Sequence, residues 1–160
     1  MSIVYEGPGD IFESGSQTLV CPVNTRGAMG AGLAKEFRNR CPGLYAAYRE
    51  ECFSGRLTTE SLFLYKPEGG GAQVLCLPTK ANWWDDSRFI QVKNILQKLS
   101  EEYRELGIRS LAIPPVGCGL GRLDYVLCLR PWLYKFFDPL DIPVKIVFGP
   151  GASASKPTFD

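Results

Sequence analysis

Two glycine-rich segments follow short apolar runs, and a loop in that position can bind an anion through its backbone. The first glycine loop, Asn24–Gly32, follows the apolar run Thr18–Val23. The second glycine loop, Gly117–Gly121, has glycine at alternate positions and follows Ser110–Ile113 and a pair of prolines. Glycine lets the main chain adopt positive φ and lets a ligand approach the amides closely. Because successive free N–H groups bind phosphates, the later segment is predicted to hold a diphosphate-containing ligand, and the earlier one a phosphate or a sugar.

Lys80 occupies the same kind of position, just past the apolar run Gln73–Leu77. A single lysine is most often a solvated surface charge, but the nearby Trp83 and Trp84 weaken that interpretation. Paired tryptophans in a polar connector either pack at the edge of the core or line a cleft. Since tryptophan is largely buried on average, packing at the core edge is expected for at least one of them.

Composition excludes several mechanisms. The 160 residues contain no histidine, which excludes catalysis through an imidazole base. None of the 6 cysteines forms a Cys-x-x-Cys pair, and no metal site is expected. The glycine segments match neither the dinucleotide-binding fingerprint nor a P-loop, which disfavours ATP hydrolysis. No cofactor is therefore expected.

Charge and hydropathy limit the possible binding partners and the cellular compartment. A net charge of +1 does not indicate tight non-specific binding to nucleic acid, although it allows recognition of one modified nucleotide. The amino-terminal residues do not resemble a secretory signal, and no apolar run approaches the roughly 18 residues of a membrane span. The cysteines lie mostly in apolar runs and are expected to be reduced thiols. These features predict a cytoplasmic protein with no membrane partner.

Strands and helices alternate along most of the sequence, which is typical of an α/β fold with a mixed sheet between helices. Residues 1–149 are expected to form one domain and residues 150–160 a flexible tail. Asp85–Ser87 is expected to cap the longest helix, and Pro131 to kink or delay the last one. Strands are predicted at residues 3–5, 18–23, 61–65, 73–77, 110–113 and 144–148, and helices at 33–40, 44–55, 88–106 and 124–137.

Four motifs at predicted strand ends together resemble one protein family. They are Gly9–Phe12, Asn24–Ala34, Thr79–Lys80 and Pro114–Gly121. Their order is similar to that of a macrodomain, the three-layer α/β/α fold that binds ADP-ribose, over about residues 2–149. The lysine of the third motif resembles that of the terminal ADP-ribose glycohydrolase branch. That branch includes bacterial antitoxins that remove ADP-ribose from thymidine bases of DNA.

The resemblance implies a role for each motif. Asp10 would accept a hydrogen bond from the adenine amino group beside the Ile11 amide. Asn24 and residues Gly30–Gly32 of the first glycine loop would hold the distal ribose, and Gly117–Gly121 would surround the diphosphate. Lys80 would act at the anomeric carbon. The implied catalytic residues are Lys80, Asn24 and Asp124, and the implied ADP-ribose-binding residues are Asp10, Ile11, Thr25, Gly30, Ala31, Gly32, Val116, Gly117, Cys118, Gly119, Leu120 and Gly121.

One position departs from part of this branch. The human relative, which acts on ADP-ribosylated glutamate, has an aspartate where this chain has Gly121. The DNA-directed antitoxins have a small residue there and an aspartate shortly afterwards, which Asp124 matches. By local pattern, Asp10 and Asp124 are also candidate caps of a turn or helix.

The resemblance implies a monomeric ADP-ribosyl glycohydrolase that acts on ADP-ribosylated single-stranded DNA. Trp83, Trp84 and Arg88 are candidate contacts to an unpaired base beside the site. A cognate ADP-ribosyltransferase toxin is an implied partner if the chain is part of a longer antitoxin. The alternatives are an ADP-ribose reader without turnover, or a hydrolase of ADP-ribosylated glutamate in proteins or of ADP-ribose 1″-phosphate. The sequence leaves open whether Lys80 acts as a nucleophilic amine or as a cation.

Overall fold

Strands and helices alternate along residues 1–119 and 121–150, the part of the chain that the computed structural model describes. The strands are β1 (Ile3–Pro8), β2 (Thr18–Asn24), β3 (Phe63–Tyr65), β4 (Gln73–Lys80), β5 (Leu111–Ile113) and β6 (Val144–Phe148). The helices are α1 (Gly32–Arg40), α2 (Leu44–Phe53), α3 (Phe89–Glu102) and α4 (Arg130–Phe137), with a 3₁₀ turn at Ile11–Glu13 and a π-helical turn at Tyr125–Leu129. Each predicted strand and helix is present, and the predicted tail lies, apart from Pro150, outside the described residues.

The strands form one mixed sheet in the order β1-β6-β5-β2-β4-β3. Neighbouring strands are parallel except for β3 and β4, which are antiparallel. The parallel strands therefore end at the same edge of the sheet, where ligands bind in open α/β folds. Each motif that the sequence singled out for chemistry lies at one of these strand ends.

Side chains of the sheet alternate between two separate hydrophobic cores. In β4, Val74 and Cys76 face the core beneath α1 and α2, whereas Leu75 and Leu77 face the core beneath α3 and α4. Burial on both faces explains why the central strands are near-continuous apolar runs in the sequence. The predicted mixed sheet and three-layer α/β/α architecture are confirmed.

The start of α3 differs from the sequence prediction, whereas the start of α4 agrees with it. The N-cap of α3 is Arg88, which makes no side-chain cap bond, so the predicted cap at Asp85–Ser87 is wrong. Asp85 instead accepts a hydrogen bond from Asn82 Nδ2 at 3.0 Å within the preceding turn. Pro131 lies in the first turn of α4, where its missing N–H is tolerated, and the predicted delay of this helix is confirmed.

A partly buried carboxylate joins β1 to the segment that follows the second glycine loop. Glu6 accepts hydrogen bonds from Tyr125 Oη at 2.5 Å, from Tyr134 Oη at 2.8 Å and from Arg130 Nε at 2.7 Å. Burial alone would raise the pKa of Glu6, but the hydrogen bonds from Arg130 and the two tyrosines hold it below its usual value. This cluster fixes the π-helical turn, and with it the end of the glycine loop, against the sheet.

Replacing Glu6 with alanine is expected to lower the free energy of unfolding by about 2 kcal/mol at neutral pH, because Arg130 and the two tyrosine hydroxyls lose their acceptor. The pKa of Glu6 is lower in the folded state than in the unfolded chain. Its contribution is therefore complete above the unfolded pKa and disappears as the pH falls through the folded pKa. Urea denaturation of wild type and Glu6→Ala should give a difference that shrinks on acidification, and a difference independent of pH would contradict this role.

Candidate functional site

The carboxyl ends of β2 and β4 and the loop after β5 enclose a cavity of about 730 Å³. Asn24 and Lys80 are the last residues of β2 and β4. The register between these strands shifts at their ends, so that Asn24 lies opposite Lys80 rather than Thr79. The other predicted site residues that line the cavity are Gly30, Ala31, Gly32, Gly117, Gly119 and Gly121.

Backbone hydrogen bonds hold the second glycine loop in its curved shape. The Leu123 amide donates to Gly117 O at 2.7 Å, and the Arg122 amide donates to Gly119 O at 3.1 Å. Gly117 has φ 78°, and Arg122 also has positive φ, at 65°. A non-glycine residue in this region indicates a backbone that its surroundings hold in place.

The residues next to these glycines differ in how deeply they are buried. Val116 is fully buried in the core beneath α3 and α4, and Cys118 packs against the same core. Burial raises the pKa of the Cys118 thiol to about 12, so this thiol is protonated at neutral pH and is a poor nucleophile. Leu120, which was also predicted to bind the ligand, lies outside the described residues.

Gly121 has no room for a side chain. A Cβ atom at this position would overlap Ser87 Oγ and would lie 2.6 Å from Gly117 O. The Ser87 amide donates to Gly121 O at 2.9 Å, which joins the connector before α3 to the loop. An aspartate at this position, as in the glutamate-directed relative, therefore does not fit the loop as it stands.

Asn24 organises the first glycine loop. Its Oδ1 accepts a hydrogen bond from the Arg26 amide at 2.9 Å, and its Nδ2 donates to Ala28 O at 2.9 Å. The Tyr48 hydroxyl donates to the same residue, with Asn24 O at 2.7 Å and Asn24 Oδ1 at 2.9 Å. Tyr48 is completely buried. Tyr48 falls within the helix predicted at 44–55, and nothing local in the sequence shows that its hydroxyl reaches the end of β2.

Thr25 and the start of α1 complete this side of the site. The Thr25 amide and hydroxyl both donate to Ala81 O, at 3.0 and 3.3 Å, and so link the first glycine loop to the connector after β4. Helix α1 begins at Gly32, which has φ 56°. Because the first N–H groups of a helix have no partner within it, the residues Gly32–Ala34 present free amides beside the cavity that they line.

Lys80 is partly buried and forms no ion pair with the described carboxylates. Burial lowers its pKa, and the opposing effect of the Asp86 and Asp85 carboxylates is smaller. A larger fraction of Lys80 is therefore neutral amine than in an exposed lysine at the same pH. A neutral amine can act as a nucleophile, and Lys80 lines the cavity.

The acidic groups beside Lys80 are not the one that the sequence indicated. Asp85 and Asp86 line the cavity, whereas Asp124 is exposed and accepts a hydrogen bond from the Leu127 amide at 2.8 Å. The helix-cap role that the local pattern predicts for Asp124 is confirmed. Sequence reasoning missed Asp85 and Asp86 because their position before α3 is typical of helix caps.

The paired tryptophans lie at the cavity rather than in the core. Trp83 is 59% exposed and Trp84 is 54% exposed, and both line the cavity. Their rings meet edge to face, with centroids 5.2 Å apart. The prediction that at least one of them packs at the core edge is therefore wrong, because the connector carries both outward past the end of β4.

Asp10 and Ile11 lie at a second, smaller cavity of about 130 Å³ beside the end of β6. Asp10 Oδ1 accepts a hydrogen bond from the Phe12 amide at 3.0 Å, which confirms its predicted role as a cap. Its other carboxylate oxygen lies 3.5 Å from Arg40 Nη2, and the Arg40 guanidinium also covers the Phe12 ring at 4.5 Å. Leu33 lines both cavities, so they are adjacent.

Three further features of the described part of the chain concern metal binding, the cysteines and membrane-spanning helices. No group of three or more cysteine, aspartate or glutamate side chains is arranged there to hold a metal ion. The cysteines are free thiols. None of the described helices has the length and hydropathy needed to cross a bilayer.

The fold and the site define an α/β domain that presents two glycine loops and a lysine at the carboxyl edge of its sheet. The model of the Macro domain family matches residues 20–130. The chain belongs to the macro domain family.

Relatives of this chain include longer proteins. The chain is 34% identical over 155 residues to the "DNA ADP-ribosyl transferase-DNA ADP-ribosyl glycohydrolase fusion protein" of Thermosipho africanus strain H17ap60334, covering 86% of this chain and 40% of that protein. The structure of Thermosipho africanus DarTG in complex with ADP-ribose superposes with a TM-score of 0.83 at 34% identity, over 89% of this chain and 40% of that one. The macrodomain of Mycobacterium tuberculosis DarG gives a TM-score of 0.84 at 30% identity, over 95% of this chain and 100% of that one.

Replacing Gly121 with alanine is expected to destabilise the protein by about 1–3 kcal/mol, because the new methyl group overlaps Ser87 and the Gly117 carbonyl. Gly30→Ala is the matched control, since Gly30 also lines the cavity but a Cβ atom there meets nothing within 4 Å. Chemical denaturation of both variants checks this expectation. Equal stability of the two variants would contradict the close packing of the loop on Ser87.

Proposed function

We propose that this domain is an ADP-ribosyl glycohydrolase that removes ADP-ribose from thymidine bases of single-stranded DNA. The observation that carries the proposal is the placement of Lys80. A partly buried lysine with a lowered pKa lines the same cavity as two glycine loops suited to phosphate and ribose. The name of the Thermosipho relative supports ADP-ribosylated DNA as the substrate class, although the chain spans only 40% of the length of that protein.

In this proposal, ADP-ribose lies along the carboxyl edge of the sheet. Adenine enters the smaller cavity at Asp10 and Ile11, and the diphosphate runs along the second glycine loop. The distal ribose then reaches Asn24 and Lys80 in the larger cavity. The remaining contacts assigned to ADP-ribose are those of the first loop, including Thr25, and of Cys118 and Leu120. Val116 is fully buried and lines neither cavity, so the contact that the sequence predicted for it is not assigned. Binding energy from the adenine and diphosphate, which do not react, positions the anomeric carbon at the lysine.

The reaction proceeds through a covalent adduct on Lys80. The neutral Nζ amine attacks the anomeric carbon as the bond from that carbon to the thymine nitrogen breaks. The base leaves with the electron pair and takes up a proton, while Nζ loses one to solvent. Opening of the ribose ring then gives a Schiff base. Addition of water to the same carbon releases the amine and ADP-ribose, so the net reaction is hydrolysis without a cofactor.

Neighbouring groups support this chemistry in different ways. Asn24 holds the first glycine loop and retains one Nδ2 hydrogen for the ribose or for water. Asp85 and Asp86 favour the positive charge that forms on Lys80 during the attack. Asp124 contributes through its cap on the segment after the second loop, which makes it a positioning residue.

Lys80→Ala is expected to abolish turnover of ADP-ribosylated thymidine DNA and to leave ADP-ribose affinity within a few-fold of wild type, because the lysine reacts but does not hold the diphosphate. Lys80→Arg, which keeps the charge without a nucleophilic amine, is the matched control. Single-turnover assays and calorimetry measure the two properties. An active Lys80→Arg variant would contradict the amine mechanism, and an active Lys80→Ala variant would contradict the catalytic assignment.

A panel of substrates separates this activity from the alternatives. ADP-ribosylated DNA, a protein ADP-ribosylated on glutamate, and ADP-ribose 1″-phosphate are incubated with the protein, and the products are identified by mass. Cleavage of the first substrate is expected. Binding of ADP-ribose without turnover of any of the three would instead identify a reader module.

The single-turnover rate is expected to rise with pH through a midpoint below 10.5, the ordinary lysine value, because burial lowers the pKa of Lys80 and only its neutral form attacks. Asp85→Asn and Asp86→Asn should move this midpoint further down, since each removes a carboxylate that raises the pKa. Borohydride should trap the Schiff base as a stable adduct. A rate that falls as the lysine deprotonates would show that Lys80 acts as a cation.

A further inference from the structure

A row of alternating aromatic and arginine side chains leads away from the mouth of the larger cavity, over the first glycine loop and across the outer surface of α2. We call it the arginine–aromatic row. Its members are Trp84, Arg26, Phe53, Arg49, Tyr45 and Arg38. The proposed function assigns no role to these side chains.

Contacts connect the row from one end to the other. The Arg26 guanidinium lies over the Trp84 ring at 5.0 Å. The Phe53 ring packs on the neighbouring Gly27, where a Cβ atom would lie 3.1 Å from the ring. The Arg49 guanidinium then lies 4.9 Å from the Phe53 centroid and 5.3 Å from that of Tyr45.

Helix periodicity makes the outer part of the row continuous. Tyr45, Arg49 and Phe53 are spaced four residues apart on α2 and therefore share one face of that helix. Arg38 of α1 covers the Tyr45 ring at 3.9 Å and extends the row onto the next helix. Phe53 is 67% exposed, so its ring is available to a ligand.

The arginines of the row keep their charges unneutralised. Within the described residues, Arg26, Arg38 and Arg49 form no ion pair. The acidic residues on α2 near them, Glu50 and Glu51, are both paired with Arg56. Free guanidinium groups therefore lie next to the exposed Trp84 and Phe53 rings and the half-buried Tyr45 ring, beside the cavity to which the proposed function assigns ADP-ribose.

We propose that this row binds the single-stranded DNA that flanks the modified base, with bases on the rings and phosphates on the arginines. The proposal rests on the proposed function, because it starts from a nucleotide whose base sits at the cavity mouth. Alternating stacking and cationic groups are what a single strand requires, since every base has a π face and every linkage has a charge. The edge-to-face pair Trp83–Trp84 would receive the base next to the modified one.

The test measures binding of an unmodified oligothymidylate by fluorescence anisotropy, so that it does not depend on catalysis. Arg49→Glu is expected to weaken binding at least tenfold and to reduce the slope of log K against log salt by about 0.7, the value for one phosphate contact of a single strand. Arg109→Glu is the matched control. Arg109 is exposed, forms no ion pair within the described residues and precedes β5, at the opposite edge of the sheet.

Two further variants separate stacking from charge. Phe53→Leu keeps an apolar side chain over Gly27 but removes the π face, and it is expected to weaken binding about fivefold or more without changing the salt slope. Arg49→Lys keeps the charge but loses the planar group that lies between two rings, so it should retain the salt slope and lose part of the affinity.

Kinetics on two substrates distinguish failure of this proposal from failure of the proposed function. Arg49→Glu should raise KM for an ADP-ribosylated oligonucleotide and leave the kinetics on ADP-ribosylated thymidine mononucleotide unchanged. No turnover of either substrate by wild type would remove the proposed function, while the oligothymidylate measurement would still decide the role of the row. Equal losses in Arg49→Glu and Arg109→Glu, or equal affinity for an acidic peptide of matched charge, would overturn the assignment to DNA.

Discussion

Parallel pairing of β2 with β4 and β5 is the constraint on which the site depends. Parallel strands end at one edge, so residues far apart in the chain meet there. The two glycine loops and Lys80 lie at the ends of three different strands. They come together as one site only when the sheet forms. The register shift that sets Asn24 opposite Lys80 refines this placement by one residue. A shift back would place the buried Thr79 opposite Asn24 instead.

The loops at this edge are held by groups outside the motifs themselves. The buried Tyr48 hydroxyl holds Asn24 by a hydrogen bond, and Ser87 packs against Gly121 and donates its amide to the Gly121 carbonyl. Glu6 holds the turn after the second loop through Arg130 and its tyrosine neighbours. The backbone amides are therefore fixed before any ligand arrives, which reduces the ordering that binding requires.

Charge is distributed unevenly around the cavity. The only acids that act on the pKa of Lys80 within the described chain, Asp86 and Asp85, raise it by less than burial lowers it. Arginines that are free of carboxylates lie outside, stacked on aromatic rings across α1 and α2. The cavity therefore favours a neutral amine at Lys80, and the outer surface of α1 and α2 favours binding of an extended polyanion. A net charge of +1 conceals this arrangement, because paired acids and bases elsewhere cancel in the sum.

The sequence by itself determined the α/β class, the order of strands and helices, and the positions of both glycine loops and Lys80. These features depend on local hydrophobic periodicity and on the positions of glycine, both of which can be read directly from the sequence. The helix caps at Asp10 and Asp124 were equally local. Tertiary structure alone decided which acids lie near Lys80 and that the paired tryptophans line the cavity. It also decided that the Tyr48 hydroxyl donates a hydrogen bond to Asn24. Each of these depends on contacts between distant segments, whose directions are set by sheet register and helix packing rather than by neighbours in sequence.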